Sequence, residues 1–394
     1  MSTSKRSFLF PFLLVLYEIG AYLSNDMYLP ALPNISADLH ITAHQAQLTL
    51  TTWFIGATSL QLIAGPLSDR YGRKPILISS GILYILSTAL CALTTDFSLL
   101  LLGRFIQGVT VSAAIVAGYS SIHELYDRIY AIRILALMSS ITILAPAFGP
   151  LVGSIALYFV PWRGIFWIIL LWATITTVCL MKWMPETNPP ENRKPIHIKS
   201  MLQDYGSLLK NWQFVGLLLT LCFTFCGFIA WLTAGPFIVI DQFHYSVIIF
   251  GILQAVVFIF NIVANYYVKH LMEKLGVAKL LRIGLTITVI GGLLAALLSN
   301  VFPYYLGGLF IAMVIYSFGS GFSFAPLNRL TVEAGSAPMG MRVAMLSTFI
   351  SAFGTIGTLL VSGFYNDTLA SLGYILAVLA ILSCLIKATT RSSS

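Results

Sequence analysis

The chain predicts an all-α integral membrane fold of twelve transmembrane helices, and three observations carry that prediction. Apolar residues make up 58% of its 394 residues and charged residues only 9%, against about 25% charged in a typical soluble domain; mean hydropathy is +0.89. Twelve apolar stretches of spanning length follow one another, at 8–29, 45–66, 76–94, 98–120, 132–156, 162–184, 212–239, 246–268, 280–299, 304–326, 342–362 and 367–387. When the chain is threaded with its N-terminus cytoplasmic, the inside segments hold all of its 22 Lys and Arg except Arg163, in an outside loop, and Arg104, within a helix. A bias this complete places both termini in the cytoplasm. It also accounts for the net charge of +8 as topogenic, so no nucleic-acid partner is implied.

The first stretch, Phe8–Leu29, is too long for a signal-peptide core and lacks a small-residue cleavage site, so it reads as an uncleaved signal-anchor. It holds two acids, Glu18 and Asp26. A charge in hydrocarbon costs several kcal/mol, so one that remains there faces a bundle interior or an aqueous cavity. Glu18 lies about 15 Å into a core roughly 30 Å thick, near the midplane, and Asp26 two turns further out. Tyr22 and Asn25 fall near the same face. The plain alternative is a structural polar contact for Glu18 and an interfacial position for Asp26. The functional reading is a pair of desolvated carboxyls able to exchange protons and to recognise a cation.

The second stretch runs into Gly65-Pro-Leu-Ser-Asp69-Arg70-Tyr-Gly72-Arg73-Lys74, read as a cytoplasmic loop. In the fourth stretch, Arg104 sits about 10 Å below the outer edge, within reach of Asp26 or a span-one backbone carbonyl. Glu124 and Asp127 follow on the cytoplasmic side and offer partners to Arg70 or Arg73, which would make an ion-pair latch. The fifth stretch carries Gly149, Pro150 and Gly153, a kink combined with close helix contact.

After the sixth stretch, Pro185–Asn211 is the longest polar segment: a Pro-rich, charged linker whose second part suits an interfacial helix. Residues 1–184 and 212–394 then form two six-helix bundles joined by 185–211. The loop after span eight, Leu271-Met-Glu273-Lys274-Leu-Gly276, echoes Leu67–Gly72 at an offset of 204 residues, and the same offset carries Phe8 to Trp212. Two pseudo-symmetric halves with a binding site between them are the architecture of a rocking transporter. Away from their ends, spans seven to twelve hold no charged residue, and Asn261 with Asn265 is their clearest polar feature. Proton chemistry is therefore expected in the first half.

These motifs resemble those of the major facilitator superfamily. Gly65–Pro75 resembles its signature between helices two and three, and Leu100-x-x-x-Arg104-x-x-Gln107-Gly108 its fourth-helix motif. Ala145-Pro-Ala-Phe-Gly149-Pro150-Leu-Val-Gly153-Ser154 resembles the fifth-helix motif of its drug/proton antiporters, with Ala145 and Ser154 standing where glycine is usual. Asp26-Met-Tyr-Leu-Pro30-Ala-Leu-Pro33 and Pro185-Glu186-Thr187 are similar to the bicyclomycin and chloramphenicol exporters, and Leu16-Tyr17-Glu18…Tyr22…Asn25-Asp26 to the MdfA-type transporters. The resemblance implies the two-bundle fold and export of amphiphilic drugs, lipophilic cations and neutral chloramphenicol-like compounds, in exchange for protons. It implies proton coupling and charge recognition at Glu18 and Asp26. Arg104 is then expected to sense which acid is ionised.

Aromatic and methionine side chains suit an adaptable cavity, and Tyr22, Phe54, Tyr119, Met138, Trp231 and Phe258, with Asn25, Asn261 and Asn265, are the candidates. Gly65, Asp69, Arg70, Gly72, Arg73 and Glu124 are the candidate cytoplasmic gate. The five cysteines (Cys91, Cys179, Cys222, Cys226, Cys384) lie in apolar spans and the six histidines are scattered through loops, so neither a disulfide framework nor a metal site is expected. No phosphate loop or nucleotide domain is visible, so the expected drive is the proton gradient without a cofactor. A monomer in a bacterial inner membrane is expected. Dedicated export of one metabolite, such as a siderophore or sugar, is the alternative function, and no clustered catalytic constellation supports an enzyme.

Overall fold

The computed structural model describes residues 9–193 and 198–390. The basic residues Lys5, Arg6, Lys194 and Arg391 used for orientation, and His197, lie outside the described residues. The described chain is helical: α1 (Leu9–Asp26), a 3-10 turn at Leu29–Ala31, α2 (Leu32–Asp38), α3 (Ala43–Tyr71), α4 (Arg73–Leu93), α5 (Phe97–Leu125), α6 (Arg128–Ala156) and α7 (Trp162–Trp183) come first. After the linker turn Pro190–Asn192 come α8 (Ile198–Lys210), α9 (Trp212–Pro236, prolonged by a π-helical turn Phe237–Gln242), α10 (Val247–Leu275), α11 (Val277–Val301), α12 (Leu306–Ala334), α13 (Met339–Phe364) and α14 (Leu369–Thr389).

Ten helices among the described residues are long and apolar enough to cross a membrane. The first and fifth predicted spans are helical but fall outside that set. In α1, Glu18, Asn25 and Asp26 lower the hydropathy of an 18-residue helix. α6 is a 29-residue helix whose apolar segment among the described residues is Leu144–Ala156.

The segment read as a loop after the second span is helical instead. Thr42 and Gln45 form a capping box that starts α3, and the helix runs on through Tyr71. Gly72 alone separates it from α4, at φ +101°, a conformation open to glycine and strained for other residues. Gly276, at φ +76°, does the same between α10 and α11. The repeat seen in the sequence is thus also a repeat of backbone conformation, 204 residues apart. The linker contains the expected helix, α8. Its Tyr205 hydroxyl donates to the Leu62 carbonyl of α3 at 3.0 Å, and Leu208 is fully buried.

Within α1–α7, α5 packs between α3 and α4, α7 covers α4 and α1, and α6 lies along α1. Within α9–α14, α11 packs on α12 and α14, while α9 touches α12, α13 and α14. The two sets meet chiefly where α3 lies on α13 and where α6 lies on α10. Helix association in lipid depends on close packing, because lipid tails are as apolar as leucine. Small residues supply it here: a Cβ on Gly108 would overlap the Trp53 carbonyl, and one on Gly56 the Phe105 carbonyl, so α3 and α5 meet backbone to backbone.

At the end where α2 lies, the Asp38 carboxylate accepts from Arg163 Nη1 at 2.5 Å and from Trp162 Nε1 at 3.2 Å. Arg163, expected in a loop, lies in the first turn of α7 and also donates to the Thr94 carbonyl, so it ties α7 to α2 and to the end of α4. The hydrogen bond from Arg163 holds the Asp38 carboxyl below its usual range.

Candidate functional site

Glu18 is 1% exposed on the inner face of α1. Its Oε1 accepts from the Tyr119 hydroxyl of α5 at 2.9 Å, while Oε2 is buried without a hydrogen-bond partner. Tyr22, Tyr119 and Met138 belong to one apolar cluster built from α1, α5 and α6 beside it. A carboxyl so placed has one oxygen fixed and one open to a proton or a ligand.

Asp26 ends α1 and is 4% exposed. Its Oδ1 receives a long hydrogen bond, 3.4 Å, from Asn25 Nδ2. Helix α6 lies directly on it. A Cβ on Gly149 would come within 2.5 Å of the Asp26 Cβ, and one on Gly153 would overlap the Met27 carbonyl oxygen. Gly149 of the fifth-helix motif is therefore the contact surface for Asp26 and Gly153 that for the Met27 backbone, a juxtaposition that sequence spacing does not show.

Arg104 of α5 is completely buried. Of the two partners expected for it, Asp26 or a span-one carbonyl, the structure shows the carbonyl. Nη1 donates to the Ser24 carbonyl at 3.2 Å and to Gln107 Oε1 at 2.8 Å, and Nε to the Thr49 carbonyl at 3.4 Å. Nη2 donates to Asn25 Oδ1 at 3.1 Å, and the guanidinium lies 4.2 Å from the Tyr28 ring centroid. An always-charged group in hydrocarbon is thus held by neutral acceptors and a π face. Asn25 links it to Asp26, accepting from the guanidinium through one amide atom and donating to the carboxylate through the other.

Gln107, Thr49, Thr88 and Tyr28 belong to this network and were not among the candidates. Gln107 passes the network on, its Nε2 donating to Thr88 Oγ1 at 2.8 Å. It lies three residues after Arg104 on one helix face, a signal legible in the sequence. Tyr28 has no such signal, because its ring meets Arg104 only through the packing of the segment after α1.

The other cavity candidates are dispersed. Phe54 packs edge-on against Trp53 and against Gly354 of α13. Trp231 is fully buried in α9, with Nε1 donating to Gln254 Oε1. Phe258 packs on Phe228, and Asn261 donates to the Ser317 carbonyl and Ser320 Oγ, both at 3.0 Å. Asn265 is half-buried one turn along α10. The structure thus sets Tyr119 on Glu18 and Asn25 on Asp26, keeps Tyr22 and Met138 in the apolar cluster that includes Tyr119, and leaves the rest within or against the second set of helices.

At the opposite end from α2, Arg73 is the centre of the candidate gate residues. It pairs with Asp69 at 2.5 Å and Glu124 at 2.9 Å, and also donates to Ser68. Arg70 stands apart, over the Tyr71 ring, and Asp127 caps α6 through the Tyr130 N–H. Because α3 continues through Tyr71 and Gly72 then reverses the chain, Arg73 at the start of α4 turns back onto Asp69, while Arg70 lies over Tyr71. Gly65 lies inside α3, facing Val116 of α5.

Glu186, from the linker, completes the gate. Its carboxylate accepts from the N–H groups of Arg73 and Lys74, at 3.0 and 3.2 Å, and so covers the N-terminus of α4. Thr187 Oγ1 donates to Glu124 and Asn188 Nδ2 to the Asp69 carbonyl. Glu186→Ala is expected to cost about 1 kcal/mol, a cap's worth, and to lower the unfolding midpoint of detergent-purified protein. An unchanged midpoint would show that the linker does not brace this gate.

The sequence profile of the Major Facilitator Superfamily matches residues 14–377. The chloramphenicol resistance protein CraA of Acinetobacter baumannii is 31% identical over 347 residues, covering 88% of this chain and 84% of that protein. The multidrug transporter MdfA of Escherichia coli O157:H7 is 31% identical over 351 residues, covering 87% and 85%. Among solved structures, the partially occluded inward-open xylose transporter XylE of E. coli superposes with a TM-score of 0.75 over 99% of both chains, at 15% identity. A bacterial homologue of the lysosomal transporter Spinster, inward-facing, gives 0.72 over 98% and 96%, also at 15% identity; at that identity the likeness is one of fold.

Proposed function

The chain belongs to the major facilitator superfamily, and we propose that it is a proton-coupled antiporter that exports amphiphilic drugs. Its substrates are lipophilic cations and neutral chloramphenicol-like compounds. The observation that carries this reading is Glu18: a fully buried carboxylate with one oxygen unpartnered, two helical turns from a second buried acid on the same helix. The drug-exporting relatives support the choice of substrates.

In this reading twelve helices span the membrane. Residues 1–184 and 212–394 form two bundles joined by 185–211, both termini are cytoplasmic, and the protein works as a monomer in a bacterial inner membrane. The α2 end faces outward and the Arg73 end faces the cytoplasm, where the Lys and Arg concentrate. The proton gradient supplies the drive, with no cofactor.

Glu18 and Asp26 alternate between protons and a cationic substrate. Two carboxylates, the buried Arg104 guanidinium and a ligand monocation sum to zero charge in a dry site, whereas a protonated pair leaves the cation without a partner. Protonation from the outward side displaces the drug, and deprotonation on the inward side restores its site. The Tyr119 hydroxyl orients Glu18, and Tyr22 and Met138 supply apolar wall. Neutral drugs use the same pocket by donating a hydrogen bond to the ionised carboxylate, and the incoming proton displaces them in the same way. Arg104 senses the charge on Asp26 through Asn25, and Gly149 and Gly153 pass the change to α6, which adjoins α10. Breaking and remaking the Arg73 ion pairs gates the cytoplasmic end.

Glu18→Gln is expected to reduce transport of a lipophilic cation into inverted membrane vesicles, the export direction, by about tenfold or more, about 1.4 kcal/mol per decade. Export of a neutral phenicol should fall less. Undiminished cation export by the variant would remove Glu18 from substrate recognition. Wild-type movement of a single metabolite and of no drug would favour a dedicated exporter.

A further inference from the structure

A proline nitrogen carries no hydrogen, so Pro150 leaves the Pro146 carbonyl of α6 without the helical donor that position would otherwise supply. The missing donor comes from another helix. Gln254 Nε2 of α10 lies 3.2 Å from the Pro146 carbonyl oxygen. The amide oxygen of the same residue accepts from Trp231 Nε1 of α9 at 2.6 Å. Trp231 and Gln254 are both fully buried. A continuous hydrogen-bonded chain therefore runs from α9 through α10 to α6, across one of the two main seams of the molecule.

The surrounding contacts seal that seam. Ser154 Oγ donates to the Val247 carbonyl at 2.8 Å, and Gly251 lies so close to α6 that a Cβ there would sit 2.8 Å from the Leu151 Cα. All these contacts join the last turns of α6 to the first turns of α10, at the α2 end.

We infer that Gln254 is a positioning residue that bolts α6 to α10 in the closed arrangement of the α2 end, using the carbonyl that Pro150 frees. When the helices part, water entering the seam can satisfy both the amide and the carbonyl. When they are closed, nothing else is placed to do so, and an unpaired buried polar group is costly. Removing the Gln254 amide therefore penalises the closed arrangement and leaves the open one unaffected. Restoring an N–H at position 150 acts in the same direction, because the helix then competes for the Pro146 carbonyl. The role of the bolt in export rests on the antiporter reading, but its effect on the position of α6 does not.

The test is a pulsed electron-resonance distance measurement on the full-length protein in lipid nanodiscs, without substrate. Spin labels replace Tyr158 and Tyr245, both exposed and flanking the seam, with the partly exposed Cys179 and Cys384 changed to alanine. Gln254→Leu, which preserves side-chain volume, is expected to raise the ratio of long to short distances about tenfold. Pro150→Ala should raise it in the same direction, and it carries the test alone if Gln254→Leu does not fold. A distance distribution unchanged by either variant overturns the inference. Failure of the antiporter reading would look different: no drug or proton movement by the wild type, with the label distances still responding.

Discussion

Replacing Arg104 by lysine is expected to leave a membrane-inserted protein whose export activity falls about a hundredfold. The guanidinium donates to the Ser24 and Thr49 carbonyls, to Gln107 Oε1 and to Asn25 Oδ1, and stacks over Tyr28. Lysine keeps the charge but gathers its three donors at one point and lacks the planar fork. It cannot reach four acceptors spread over α1, α3 and α5, so at least one or two buried acceptors lose their partner. Each such loss costs about 1–3 kcal/mol, and two of them at about 1.4 kcal/mol each give a hundredfold effect. The Asn25 amide would also be released, and with it the link to Asp26. Transport rates in vesicles, normalised to folded protein by size-exclusion profile, check this. A lysine variant with near-normal rates would mean that charge alone suffices at this position.

The second large effect is expected at Gly153. Any side chain there meets the Met27 carbonyl oxygen, which is backbone and cannot rotate aside. Gly153→Val should push α6 off the end of α1, loosen the Gly149 contact with Asp26, and disturb the seam with α10 that begins at Leu151 and Ser154. Strain of this kind typically costs about 1–3 kcal/mol or more, so both yield and transport should drop sharply. Gly206 of α8 is the control: nothing lies within 4 Å of a Cβ built there, so Gly206→Ala should be neutral or slightly stabilising, since alanine is the better helix former. Equal effects at 153 and 206 would show that the α6–α1 contact does not matter.

Much of this was legible before any coordinates. Apolar windows locate helices well, because a lipid-facing helix must be apolar along its whole length. Two acids inside such a window stand out for the same reason. What sequence could not give is register between helices. Arg104 had several possible acceptors within reach, and only the packing of α5 against α1 and α3 decides that they are carbonyls and amides instead of Asp26. The apposition of Gly149 with Asp26 is hidden in the same way, since the two lie far apart in the chain.

The gate shows a different failure. Gly72 was visible, but its single-residue reversal was not, so Asp69–Lys74 was read as a loop. Across that reversal Arg73 opens α4 and turns back onto Asp69 and Glu124, a pairing that helical spacing does not show. Aromatic residues were the least informative. Trp231 and Phe258 sit in helices apolar on nearly every side, and such helices give no periodicity to separate a cavity face from a packed one.

Proton movement on addition of drug, measured in vesicles reconstituted with the wild type or Glu18→Gln, tests the central claim most directly. The account predicts a substrate-triggered proton flux in the wild type, and for lipophilic cations its loss in the variant. A Glu18→Gln protein that still exchanges protons for those cations at the wild-type rate would contradict it.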